Sequence, residues 1–121
     1  MQKSDITMPD KKKGGNQSAA HSALVNACLL AIGRIPGVIA FRTNSSAGGL
    51  MHQRGLPLGW PDITVLMAGG RVAFVECKTG AAKISQTQVD FAHAVHTVGV
   101  NVHVAHCADD AVLAIRGEFQ R

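Results

Sequence analysis

Trp60-Pro61-Asp62-Ile63-Thr64-Val65-Leu66-Met67-Ala68-Gly69-Gly70-Arg71-Val72-Ala73-Phe74-Val75-Glu76-Cys77-Lys78 is the stretch on which the fold turns. Two runs rich in Val, Ile and Phe flank Ala68-Gly69-Gly70, which predicts a β-hairpin. Loop length fixes which side chains share a face. With a three-residue loop, Met67 stands opposite Arg71 and Asp62 opposite Glu76, on one face of the hairpin. With a two-residue loop, Asp62 would face Cys77 and the two carboxylates would part to opposite faces. Three-residue hairpin loops commonly end in a left-handed residue, which Gly70 supplies. The longer loop is therefore expected. Glu76 and Lys78, two positions apart, also point to one face. Charges beside so apolar a strand are costly unless paired or bound to an ion.

Outward from the hairpin, the remaining elements follow from local signals. Leu24, Cys28 and Ala31 fall at helical spacing, with Val25 and Leu29 beside them, so a helix is expected from Gln17 to Ile32. Gly33 to Gly37, with Pro36, ends it. Val38-Ile39-Ala40-Phe41-Arg42 reads as a strand. After the hairpin, Ser85-Gln86-Thr87-Gln88 has the capping-box form and opens a helix to about Thr97, stopped by Val98-Gly99. Val100 to Ala105 alternates as a strand, and Asp109 or Asp110 can cap a last helix reaching about Ile115. The expected class is α/β, in the order α-β-β-β-α-β-α, with a mixed central sheet and a right-handed crossover.

Composition bounds the rest. The 121 residues suit one domain, and 46% are hydrophobic, with four Phe, one Trp and no Tyr; the core must be built from Ala, Val, Leu and Ile. The net charge is +4 and the isoelectric point about 9.3, a balance compatible with a nucleic-acid partner. Residues 1–15, with four Lys among Pro and Gly, read as a flexible basic tail, solvated or touching phosphates; residues 16–121 form the single folded domain. Cys28, Cys77 and Cys107 are odd in number and lack a C-x-x-C spacing. That argues against a disulfide framework and for a reducing compartment. The sequence shows no secretory signal, so a cytoplasmic, not secreted, location is expected. Its most apolar run, Ala27 to Ile32, is too short to span a bilayer.

Asp62 and Glu76 can offer hard oxygen donors from adjacent strands, and the backbone carbonyl of Cys77 a third. This donor set suits Mg²⁺ or Mn²⁺ and the hydrolysis of a phosphodiester. Lys78 would orient the attacking water or stabilise charge on the phosphate. The irregular segment from Thr43 to Trp60 leads into Asp62 and carries groups suited to phosphate contact. Arg42, Asn44, His52, Arg54, Trp60 and Lys83 are the candidate nucleic-acid-binding residues. Trp60 reads either as a stacking platform or as a structural anchor beside Pro61. His93, His96, His103 and His106 lack a defined zinc ligand set.

Three segments in order, Gly59-Trp60-Pro61-Asp62-Ile63, Val75-Glu76-Cys77-Lys78-Thr79 and Ile84-Ser85-Gln86-Thr87-Gln88, resemble the VRR-NUC (virus-type replication-repair nuclease) family of the PD-(D/E)xK nuclease superfamily. The resemblance covers residues 20 to 116. It implies a restriction-endonuclease-like core and Mg²⁺- or Mn²⁺-dependent cleavage of DNA. It also implies Asp62, Glu76 and Lys78 as the catalytic triplet, joined by Gln88 on the following helix. Members usually carry a Glu near the start of the first helix; here Gln17 and His21 occupy that region, and His21 is the candidate substitute. Small stand-alone members look like phage-type homodimers that cut branched DNA, including Holliday junctions. The expectation is a resolvase-like endonuclease of bacterial or phage-infected cells, with no membrane partner. The alternatives are a DNA-binding module with little or no activity and a general duplex nuclease.

Overall fold

The computed structural model describes residues 8–43 and 56–121, with side chains from residue 19 onward. Asn44, His52 and Arg54, named above as candidate DNA contacts, lie outside the described residues. The chain runs α1 (Met8–Gly33), β1 (Val38–Arg42), β2 (Ile63–Met67), β3 (Arg71–Cys77), α2 (Gln86–His96), β4 (Asn101–Ala105) and α3 (Ala108–Glu118). The four strands form one sheet in the order β1-β2-β3-β4. β2 pairs antiparallel with both β1 and β3, and β4 joins β3 in parallel after the α2 crossover. The expected mixed sheet and element order are both present.

The hairpin has the register on which the reading depends. Met67 pairs with Arg71 and Ile63 with Val75, so the three-residue loop is correct. Both Gly69 and Gly70 have positive φ, 89° and 77°, which side-chain-bearing residues adopt at a cost. One residue before Ile63 and one after Val75, Asp62 and Glu76 come opposite each other.

The two sheet faces have different covers. On one, Ile63, Val65 and Met67 of β2 and Ala73, Val75 and Cys77 of β3 pack against Val25, Cys28 and Ile32 of α1 and Ala111 and Ile115 of α3. Nine of these residues, Val25, Cys28, Ile32, Ile63, Val65, Ala73, Val75, Ala111 and Ile115, have no exposed surface. Burying a large aliphatic side chain contributes about 1.5–3 kcal/mol, so this layer is the main stabilising element. On the other face Phe74 meets Trp60 and Phe91, with centroids 5.4, 5.2 and 5.3 Å apart, which seats α2.

The bounds of two helices, α1 and α3, differ from the sequence reading. α1 begins at Met8 rather than Gln17, so residues 8–15, assigned from composition to a tail, are helical. Pro9 does not oppose this, because a proline in the first turn lacks an N–H that would have had no helical partner. α3 is preceded by Cys107, which makes no side-chain cap, while Asp109 and Asp110 lie in its first turn. Asp110 accepts from the backbone N–H of His106 at 2.8 Å instead. The helix continues to Glu118, a turn beyond the expected end, for a reason given below.

α2 begins as read: Ser85 caps it, and the full capping box with Gln88 is formed. Its first turn is locked against the segment preceding the hairpin. A Cβ on Gly59, which has φ +87°, would come within 2.3 Å of the backbone oxygen of Thr87. Gly59→Ala is therefore expected to destabilise the protein by about 2 kcal/mol or more, from backbone strain and the forced retreat of α2. A thermal melt of the variant checks this; an unchanged midpoint would show that α2 is not held by this approach.

Candidate active site

Asp62 and Glu76 are tied together through each other's backbone. The Asp62 N–H donates to Glu76 Oε1 at 3.1 Å, and the Cys77 N–H donates to Asp62 Oδ2 at 2.8 Å. The hairpin register thus becomes a fixed spacing between two carboxylates. Both are buried, at 6% and 3% exposure. The second oxygen of Glu76, Oε2, is buried without a hydrogen-bond partner. An unpartnered buried carboxylate oxygen is costly, which makes Oε2 a place for a proton, a water or an ion to bind.

Lys78 is the nearest cation, with Nζ 3.8 Å from Glu76 Oε2. That distance gives an ion pair but no hydrogen bond. Burial pushes the Glu76 carboxyl up to about 8, the charge of Asp62 adds to the rise, and Lys78 opposes it without prevailing. Without a further cation, the site therefore favours the protonated form of Glu76 more than water does.

Gln88 orients the ammonium. Its Oε1 accepts from Lys78 Nζ at 2.8 Å and from the Ser85 backbone N–H at 2.9 Å. The capping role and the site role, separate readings of the sequence, are carried by one oxygen. The amide that closes the first turn of α2 also fixes the lysine beside the carboxylates.

From the opposite direction, α1 brings His21, whose Nε2 lies 3.2 Å from Asp62 Oδ2. Asp62, Glu76, Lys78, Gln88 and His21 therefore meet at one place, with the backbone of Cys77 beside them. The Cys28 and Cys77 side chains are both buried, and all three cysteines are free.

The other candidates are placed differently. Trp60 lies in the aromatic cluster under α2, and its Nε1–H donates to Thr64 Oγ1 at 3.0 Å. These contacts give the ring the anchoring environment of the two considered. Arg42 is held at the α1 side, donating to Asn26 Oδ1 at 3.2 Å and to Ser22 Oγ at 3.1 Å, close in sequence to His21. Lys83 is exposed in the irregular segment before α2.

One cluster escaped the sequence reading. Glu118, 1% exposed, accepts from Arg71, Arg121 and Asn101, and pairs with His103. It lies at the far end of the sheet, beside the first residues of β3 and β4. Burial alone would raise its carboxyl, but the bonds from His103, Asn101 and Arg121 outweigh that and hold it below the usual value. These partners explain why α3 runs on to Glu118. The signal was present: Ala111, Ile115 and Glu118 follow at four and three residues, which puts Glu118 on the buried stripe of α3.

Among the described residues, no three His, Cys, Asp or Glu side chains form a ready-made metal cage, and no helix is long and apolar enough to cross a membrane. The donor set still fits a small divalent ion. Mg²⁺ is usually held by one or two carboxylates, with water and substrate phosphates completing the shell. The unpartnered Glu76 Oε2 is the oxygen such an ion would satisfy.

No family model matches the sequence, and no curated relative does. A solved structure described as a "VRR_NUC domain" is similar to this chain with a TM-score of 0.53 and 18% identity, over 83% of this chain and 95% of that one. With its mixed four-stranded sheet, its helices on both faces and this likeness over nearly the whole of the solved domain, the chain has the VRR-NUC fold, a restriction-endonuclease-like architecture.

Proposed function

We propose that this protein is a divalent-metal-dependent endonuclease that hydrolyses phosphodiester bonds in DNA, acting on branched substrates such as four-way junctions. The observation that carries the reading is the buried, unpartnered Glu76 Oε2, set opposite Asp62 and 3.8 Å from the Lys78 ammonium. The fold supports a nuclease-type domain. The net charge of +4 suits a polyanionic substrate. A homodimer presenting two such sites about a two-fold axis would match the symmetry of a four-way junction. We place the activity inside the cell, consistent with three unpaired cysteines.

Asp62, Glu76 and the carbonyl of Cys77 would hold the ion. Bound there, it would supply charge neutralisation for the phosphate and activation of water. The protein's own groups do the rest. Lys78, anchored by Gln88, places a positive donor next to the carboxylates, where it orients the attacking water or takes up charge developing on a phosphate oxygen. The backbone N–H groups of Asp62 and Cys77 hold the two carboxylates at fixed spacing, so little reorganisation is required when substrate arrives.

A second reading is that the domain binds DNA with little or no cleavage. The observation favouring it is the imidazole of His21 where the resemblance leads one to expect an acid. Incubation with four-way junctions, flaps, splayed arms and linear duplex, with Mg²⁺ or Mn²⁺ and with chelator, separates the readings. The parent is expected to cut branched DNA only with metal, and Asp62→Ala and Lys78→Ala to lose cleavage. Cleavage surviving both substitutions would refute the site. Binding without cutting in any metal selects the second reading, and equal cutting of linear duplex selects a general nuclease.

A further inference from the structure

The group that reaches the carboxylates from across the fold is a nitrogen donor. His21 lies 41 residues before Asp62 and approaches from α1, so its presence at the site is a product of tertiary packing. Its side chain is 25% exposed, against 8% for that of Asp62, so the ring borders the open side of the site. Asp62 Oδ2 is shared between His21 and the Cys77 N–H, and the unpartnered Glu76 Oε2 belongs to the same carboxylate pair. Adjacent ligand atoms on a six-coordinate ion with bonds of roughly 2.1–2.2 Å stand about 3 Å apart. The 3.2 Å between His21 Nε2 and Asp62 Oδ2 is close to that separation.

We infer that His21 supplies an imidazole nitrogen to the divalent-ion site, and that the site in consequence prefers later first-row ions, Co²⁺ and then Mn²⁺, to Mg²⁺. The inference rests on the metal-site reading given under the proposed function. Mg²⁺ is a hard ion that takes oxygen ligands and sheds water reluctantly. Affinity at a mixed nitrogen and oxygen site rises along the series from Mn²⁺ to Co²⁺, and imidazole is a better partner for such ions than for Mg²⁺. Replacing a carboxylate by a neutral ring also removes a negative charge, which weakens a hard ion most. A His21 that merely props Asp62 by a hydrogen bond would leave no nitrogen on the ion.

The test uses the full chain, stripped with chelator and then titrated calorimetrically with MgCl₂, MnCl₂ and CoCl₂. Pulsed electron paramagnetic resonance of the Mn²⁺-loaded protein reads nitrogen coordination directly. The parent should bind Co²⁺ and Mn²⁺ at least tenfold more tightly than Mg²⁺ and show ¹⁴N modulation. His21→Gln should lose the modulation, and His21→Glu should reduce the Co²⁺ to Mg²⁺ affinity ratio tenfold or more. Thermal melts of both variants establish that they are folded, and two replacements guard against one that is not. An ion whose binding needs Asp62 but which shows no ¹⁴N modulation overturns the inference and leaves the metal site standing. So does modulation that persists in His21→Gln. Absence of any binding lost in Asp62→Ala overturns both.

Discussion

Glu76→Gln is expected to abolish cleavage, by a factor on the order of 10³ or more, while leaving the metal-free fold as stable at pH 8 as the parent or more so. The two effects come from one cause. The carboxylate would be needed charged in the proposed reaction and is disfavoured charged by the fold. Burial, then the neighbouring charge of Asp62, lifts its pKa from 4.5 to about 8. Its folded form therefore holds a proton that the unfolded chain has released over this range. The stability it contributes is fully present below about 4.5 and is lost as pH rises through about 8. At its steepest the loss approaches one proton's worth, about 1.4 kcal/mol per pH unit. A glutamine is neutral throughout and close in shape, so the variant should lack this slope. Urea unfolding of parent and variant in chelator at pH 6, 7 and 8 checks it, the difference between them cancelling the histidines common to both. A Gln variant that is less stable at pH 8, or whose slope matches the parent's, would show that Glu76 is ionised in the empty site. Added Mn²⁺ should stabilise the parent at pH 8 and leave the variant unmoved.

The parts of this site that were legible in the sequence are those governed by short-range rules. The register that joins Asp62 to Glu76 follows from the period of a strand and the length of one loop, and the pairing of Met67 with Arg71 bears it out. The Ser85 to Gln88 cap is likewise a matter of three residues. What sequence alone could not decide depends on packing between distant elements. The Gln88 amide was readable as a cap, yet its grip on Lys78 arises only once α2 is laid over the sheet. His21 could be placed near the site only by the resemblance, and its partner is on another element. Trp60 offered two readings because an indole suits both; the positions of Phe74 and Phe91 decide its surroundings. The start of α1 was missed for a different reason. Lys-rich polar sequence lacks the apolar periodicity that signals a helix, although Lys is a good helix former.

Glu118→Ala should cost about 3 kcal/mol and lower the melting midpoint by more than about 10 °C, without impairing cleavage at low temperature. The carboxylate is 1% exposed and gathers Arg71 and Arg121 on Oε1 and Asn101 and His103 on Oε2. It joins the end of α3 to the first residues of β3 and β4, so one side chain closes the sheet against its last helix. Removing it leaves a cavity and four donors facing one another. Arg71, Arg121 and His103 keep 32%, 46% and 27% of their side-chain surface exposed, so they can turn partly to water. That places the cost at the lower end of what breaking a buried ion pair incurs. The pH dependence has the opposite sign to that of Glu76. A carboxyl held below its usual value contributes stability that is present above about 4.5 and is lost as pH falls through its folded pKa. The Ala variant should therefore show a shallower acid limb than the parent. Glu118→Gln, which keeps the volume but not the charge, should fall between the two. Arg71 and Glu76 are five residues apart on one strand, about 17 Å, so the candidate site lies beyond the reach of this change. Calorimetry and denaturant titration of the three proteins measure the effect. A loss below about 1 kcal/mol would mean that the charges at this end of the sheet are solvated rather than structural.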